Sequence, residues 1–177
     1  LPNLSIYSPS GDKSMSVILK EAMLEKHSSF IRIPKVGIDE DVEVLSPNHF
    51  IRKSNVSPVL VISHGKMVKN SIAAHTLLPE FSIFAMDRIK PLDDKLLLSL
   101  FEEFKHFVIV EDNFRSGLYN SICQWAVENN APHVQISTIS PEEKYDDIVG
   151  NADYLEDKHG LSPKKISERI RQIITNI

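Results

Sequence analysis

Three short stretches hold the residues whose types could do chemistry. The first is "SSFIRIPK" (28–35), in which Arg32 stands among Phe30, Ile31 and Ile33. An arginine inside an apolar, strand-forming run needs solvent or an anion, because its charge is not tolerated unpaired in a core. The second is "SHGKMV" (63–68), between an apolar run and a helix-like segment. There His64, Gly65 and Lys66 form a possible anion site, since backbone N–H groups at a helix start are free to receive negative charge. A single glycine is not a phosphate-binding fingerprint, and Gly65 is equally explained by a tight turn. The third is "VEDN" (110–113), two carboxylates and an amide closing an apolar run. Strand carboxyl ends are where parallel sheets bind ligands, yet Glu111, Asp112 and Asn113 could as well cap the next helix or hold an interface.

The elements that position these stretches follow from apolar periodicity. "LSIY" (4–7) reads as a strand. Met15, Ile18, Leu19, Ala22 and Met23 recur at helical spacing, and 28–33 reads as a short buried strand closed by Pro34. This strand–helix–strand unit is too small to enclose a core. Residues 36–57 are polar and interrupted by Gly37 and Pro47, and read as a linker with a weak strand at 42–45. Beyond it, strands at 58–63, 81–87, 107–112 and 133–137 alternate with helices at 67–78, from Lys90-Pro91-Leu92-Asp93 to about Phe104, at 117–129 and at 162–177. Continuous apolar strands alternating with helices imply an α/β fold, a mostly parallel open sheet with helices on both faces.

Composition narrows the classes. The chain has 177 residues, a formal net charge of −4 and ordinary globular proportions, 42% hydrophobic and 25% charged. No basic footprint for nucleic acid or an anionic membrane is present, and runs such as "VLVI" and "FVIV" are too short to span a bilayer. Neither nucleic acid nor membrane is therefore expected as a partner. Cys123 is the single cysteine, which excludes a disulfide framework and makes a cytoplasmic location the default expectation. Seven histidines are scattered without i, i+4 pairing on a helix, so they read as surface residues and no metal site is expected. Ser63 beside His64 lacks the G-x-S-x-G setting of a nucleophile. The chain opens with Leu1, with neither an initiator methionine nor a signal peptide, which sets the expectation of a piece of something longer.

Taken in order, these segments resemble the transketolase superfamily of thiamine diphosphate enzymes over essentially the whole chain. "PNLSIYSPSGDKSMSVILKEAML" and "FIRIPK" are similar to the end of the pyrimidine-binding domain, the latter to its closing [IV]-R-x-P-[RK]. "ISHGKMVKNSIAA", "DRIKPLDDKLL", "VIVEDN" and "GLSPKKISERI" are similar to successive motifs of the transketolase C-terminal domain. The resemblance implies residues 1–35 as the end of the pyrimidine-binding domain, 36–57 as a linker and 58–177 as the C-terminal domain. Two departures mark a divergent subfamily. The usual G-G-x-G-S reads Gly117-Leu118-Tyr119-Asn120-Ser121, and a Pro-[DE]-x-[FY] element is stretched to Pro141-Glu142-Glu143-Lys144-Tyr145.

The resemblance also implies a function. Arg32 falls on the arginine that binds the terminal phosphate of the substrate in sugar-phosphate members, a role suited to a guanidinium fork. The alternative, Arg32 paired with a carboxylate across a domain interface, stays open. The G-D-G…N motif that holds the cofactor diphosphate and a divalent metal (Mg), and the activating glutamate, are not among these residues. The chain is thus expected to be the C-terminal part or a subunit of a two-carbon transferase acting on phosphorylated sugars, of transketolase or 1-deoxy-D-xylulose-5-phosphate synthase type. It is expected to contain no catalytic residue, to bind no cofactor alone and to be inactive without its N-terminal cofactor-binding domains; the complete enzyme is expected to be a homodimer. Alternatives are the β subunit of a 2-oxo acid dehydrogenase decarboxylase component and a non-catalytic assembly module of the same fold.

Overall fold

The computed structural model describes residues 2–34 and 43–177. In chain order the elements are β1 (Leu4–Tyr7), α1 (Asp12–Leu24), β2 (Ser28–Ile31), β3 (Asn48–Arg52), β4 (Val59–Ser63), α2 (Met67–Leu77), β5 (Ser82–Met86), β6 (Arg88–Lys90), α3 (Asp94–Glu103), β7 (His106–Val110), α4 (Leu118–Glu128), β8 (Gln135–Ile139), α5 (Ala152–Lys158) and α6 (Pro163–Thr175). They build a five-stranded sheet of order β3-β5-β4-β7-β8 and a three-stranded sheet of order β2-β1-β6.

In the larger sheet β5, β4, β7 and β8 run parallel, and β3 pairs antiparallel along the β5 edge. Every residue of β4, β5 and β7 is buried, which is why these strands are apolar almost throughout. Their side chains alternate between faces. Val59 and Val61 pack with Met67, Val68 and Ala74 of α2 and Ile166, Ile170 and Ile173 of α6. Leu60 and Ile62 pack on the other face with Leu97, Leu100 and Phe101 of α3 and Ile122 and Trp125 of α4. The α/β expectation of a mostly parallel sheet covered on both faces is therefore what the chain forms.

The smaller sheet is held to α1 by polar groups. The Tyr7 hydroxyl donates to Glu21 Oε1 at 2.9 Å and Glu25 Oε1 at 3.0 Å. Ser5 and Ser29 also donate to Glu25, at 3.0 and 2.8 Å. Arg88 of β6 reaches the same two carboxylates, at 2.9 Å to Glu21 and 3.4 Å to Glu25. Burial, with the Glu21 and Glu25 hydrogen bonds behind it, pushes the Tyr7 phenol well up.

Asp87, between β5 and β6, joins the two sheets. Its backbone carbonyl accepts from the Ser8 N–H at 2.7 Å, and its fully buried carboxylate accepts the Ser10 N–H at 2.8 Å and the Ser10 hydroxyl at 2.6 Å through Oδ2. Nearby, the Gly65 N–H donates to the Ser8 carbonyl at 2.9 Å.

Several expectations shift. Residues 28–33 are not a buried run. Phe30 is 55% and Ile33 65% exposed, because β2 is the outer strand of its sheet and its far edge pairs with no strand among the described residues. Beside it the end of α1 exposes Met23 and Leu24. The segment read as a linker contains β3, and of the weak strand at 42–45, residue 42 lies outside the described residues and 43–45 are not extended into one. Lys90-Pro91 does not open a helix. β1 takes residues 88–90 as a partner, and α3 starts at Asp94, with Asp93 Oδ1 accepting from the Leu96 N–H at 3.0 Å. β8 begins at Gln135, opposite His106. Two histidines are not on the surface: His64 and His106 are buried.

Asp87 yields a stability test. Burial raises its carboxyl to about 6 against the opposing Ser10 and Ser14 hydrogen bonds and nearby His49. The unfolded group titrates near 3.9, so between pH about 4 and about 6 the folded chain holds the extra proton and stability falls as pH rises. The expected loss is on the order of 2–3 kcal/mol. Urea unfolding across that window should show this slope in the wild type, and Asp87→Asn should lack it.

Candidate functional site

The carboxyl ends of β4 and β7, neighbours at the centre of the larger sheet, bring Ser63-His64-Gly65-Lys66 beside Glu111-Asp112. The smaller sheet lays the exit of β2 across them. Between the two lies a cleft of about 380 Å³ whose lining includes Ser8, Arg32, Gly65, Lys66, Asp112 and Ala152. All three chemical stretches read from sequence thus meet at one opening, through Arg32, Gly65 with Lys66, and Asp112.

Arg32 is fixed there by its backbone as well as its charge. Its N–H donates to the Tyr7 carbonyl at 2.9 Å, extending the β1 pairing. Its guanidinium grips Asp112 in a bidentate fork, Nη1 to Oδ1 at 2.7 Å and Nη2 to Oδ2 at 2.8 Å. The Arg32 side chain stays 46% exposed and that of Asp112 17%. Burial would raise the Asp112 carboxyl, but the Arg32 hydrogen bonds and charge, with His64 and Lys66 adding to them, hold it below the usual carboxylate range. The Asp112 hydrogen bonds in turn raise the Arg32 guanidinium. Of five guanidinium N–H donors the fork uses two, which leaves edges for a second anion.

Glu111 has another task. Its carboxylate is fully buried and accepts the Leu118 N–H at 2.9 Å and the Tyr119 N–H at 3.0 Å, satisfying two of the orphan donors at the start of α4. Gly117 makes this possible, because a Cβ there would collide with Glu111 Oε2. The imidazole of His64 lies 3.8 Å from the same oxygen, and neither ring nitrogen has a hydrogen-bond partner among the described residues.

The turn of His64, Gly65 and Lys66 is built differently from a phosphate loop. Gly65 adopts φ +53°, the left-handed region that favours glycine, and a Cβ there would stand 2.6 Å from Ser8 Oγ. Its N–H is taken by Ser8, and the Met67 N–H bonds back to the His64 carbonyl at 3.2 Å. Lys66 reaches the cleft with its side chain and pairs with Glu156 of α5. Asn70 donates to Glu156 Oε2 at 2.7 Å and to the Leu161 carbonyl at 2.9 Å, which ties α5 down. Arg32 and Lys66 therefore come together at the cleft, while His64 points into protein.

Such a site offers the N–H donors and positive charge that an anion requires. Two cations stand at one opening, each already facing a carboxylate. Among the described residues no three His, Cys, Asp or Glu side chains are grouped to hold a metal ion. The alternative that Arg32 pairs with a carboxylate across an interface is what forms, but sequence reasoning did not name Asp112 as that partner, and it missed Ser8 and Glu156 altogether. Eighty residues separate Arg32 from Asp112, and the pairing arises from the junction of two sheets, which no local pattern encodes.

Comparison with known proteins gives the family and the fold. Residues 51–166 match the family described as transketolase, C-terminal domain. A 1-deoxy-D-xylulose-5-phosphate synthase of Dehalococcoides mccartyi is 28% identical over 99% of this chain, and one of Sulfurimonas denitrificans is 23% identical over 98%. The chain spans 29% and 30% of those relatives. Among solved structures, a split-gene transketolase, described as an inactive β4 tetramer, superposes with a TM-score of 0.81 at 19% identity, over 99% of this chain and 59% of that one. Transketolase from Pichia stipitis in complex with sedoheptulose-7-phosphate gives 0.69 at 13%, over 98% and 25%.

The capping carboxylate can be tested alone. Gly117→Ala should force Glu111 off the start of α4 and cost about 1–2 kcal/mol, read as a lower denaturation midpoint with an unchanged slope. Wild-type stability in that variant would reject the packing described.

Proposed function

The chain belongs to the transketolase C-terminal domain family, and on that premise we propose that it is the C-terminal part of a thiamine diphosphate-dependent two-carbon transferase acting on phosphorylated sugars. In this reading residues 1–35 close a pyrimidine-binding domain, 36–57 connect, and 58–177 form the C-terminal domain. The observation that carries it is the Arg32 guanidinium, on a strand exit and half exposed at the cleft. Relatives aligned over nearly the whole chain being 1-deoxy-D-xylulose-5-phosphate synthases supports the sugar-phosphate side of the family.

Thiamine diphosphate would supply the carbanion-stabilising electron sink in the complete enzyme. The residues here do not fit a site for its diphosphate and metal, since the acidic groups near the cleft are engaged by Arg32, Lys66 and the start of α4. Accordingly no chemical step is assigned to this chain, whose own contribution is to bind the substrate phosphate and to organise neighbouring domains and the dimer. A second reading, an assembly module without catalysis, draws on the same arginine, because Asp112 already satisfies its fork.

Kinetics on the complete polypeptide separate the two. Arg32→Met should raise KM for a phosphorylated sugar about 10–100-fold, the loss of one charged hydrogen-bonding group. It should leave kcat and the KM for an unphosphorylated sugar nearly unchanged. An unaltered KM for the phosphorylated substrate would remove Arg32 from substrate binding and favour the assembly module.

A further inference from the structure

The fork that holds Arg32 has a further consequence, which rests on the reading of Arg32 as an anion-binding residue. We propose that Asp112 is a built-in competitor at that site: its carboxylate takes the guanidinium face an incoming phosphate needs, and sets how weakly the phosphate is held.

The charges around the cleft support this. Arg32 meets Asp112 through two hydrogen bonds of 2.7 and 2.8 Å, and Lys66 meets Glu156, which also accepts from Asn70. The four side chains sum to zero formal charge, so the pull of each cation on a dianion is opposed by the carboxylate it faces. A phosphate on the free edge of the guanidinium lies within a few ångströms of the Asp112 carboxylate, and like charges at that range repel strongly where solvent is limited. A phosphate on the fork itself must displace Asp112. Asp112 does not retreat easily, since only Glu111 separates it from the end of β7 and Glu111 is buried and bonded to α4. Arg32 is the more exposed partner, reachable from the cleft. Either route makes binding weaker than two cations alone would give, which favours release of a phosphorylated product.

A merely supporting Asp112 would behave in the opposite way. Holding the guanidinium in register would make phosphate bind better with the carboxylate than without it. The sign of one substitution therefore decides.

The experiment titrates inorganic phosphate calorimetrically into the complete polypeptide at fixed ionic strength and neutral pH. Asp112→Asn keeps the shape and removes the charge, and should bind phosphate about tenfold tighter than wild type. Arg32→Met should lose the binding. Phosphate bound equally or more weakly by Asp112→Asn, with Arg32→Met still defective, overturns the competitor role and leaves Arg32 as an anion ligand. An Arg32→Met variant that binds like wild type overturns the anion reading itself. Asp112→Ser, with thermal unfolding as a check on the fold, serves if the asparagine variant is unstable. In the wild type the Arg32 guanidinium N–H resonances should shift at saturating phosphate, and resonances that stay in place overturn the proposal.

Discussion

The junction at Asp87 is the constraint on which the rest of the molecule depends. A carboxylate with no solvent exposure, holding both the N–H and the hydroxyl of Ser10, gives the small sheet one position on the large one. Burying a carboxylate is costly, and the arrangement is sustained because the same contact carries the Ser8 N–H, the β1–β6 pairing and the Gly65–Ser8 hydrogen bond. From that position the exit of β2 falls over the end of β7, and Arg32 meets Asp112.

The cleft then divides the duties of two adjacent acids. Glu111 looks inward, where it stands in for the missing N-terminal cap of α4, and Gly117 yields the space it needs. Asp112 looks outward, into the opening, where it meets the arginine of the other sheet. Alternation along a strand end puts consecutive side chains on opposite sides, so one dipeptide serves both packing and ligand chemistry. The sequence reading posed helix capping, an interface and ligand binding as rivals for this stretch, and the first two are realised by different residues of it.

What was legible in the chain was what its periodicity had to show. β4, β5 and β7 are buried on both faces, so their apolar runs admit few other readings. α6 carries Ile166, Ile170 and Ile173 at helical spacing on one buried face. β3 was hidden because Asn48, His49 and Arg52 break its apolar character and it pairs along a single edge. α5 has seven residues and none buried, leaving no pattern to detect. Arg32 was conspicuous as a charge in an apolar run, but its partner was not, because ion pairs across sheets leave no local trace. The buried imidazole of His64 was hidden for a similar reason, since histidine spacing reports on metals and not on depth.

The bare rim of β2 bears on how such a chain can be handled. Its outer backbone N–H and C=O groups meet no neighbouring strand among the described residues, and Phe30, Ile33, Met23 and Leu24 lie open around it. An uncovered strand with apolar flanks is a template for another chain. At the concentrations used for crystals or spectroscopy such a rim favours pairing between copies, so a hydrodynamic size measured there would report this sticky margin along with any specific assembly.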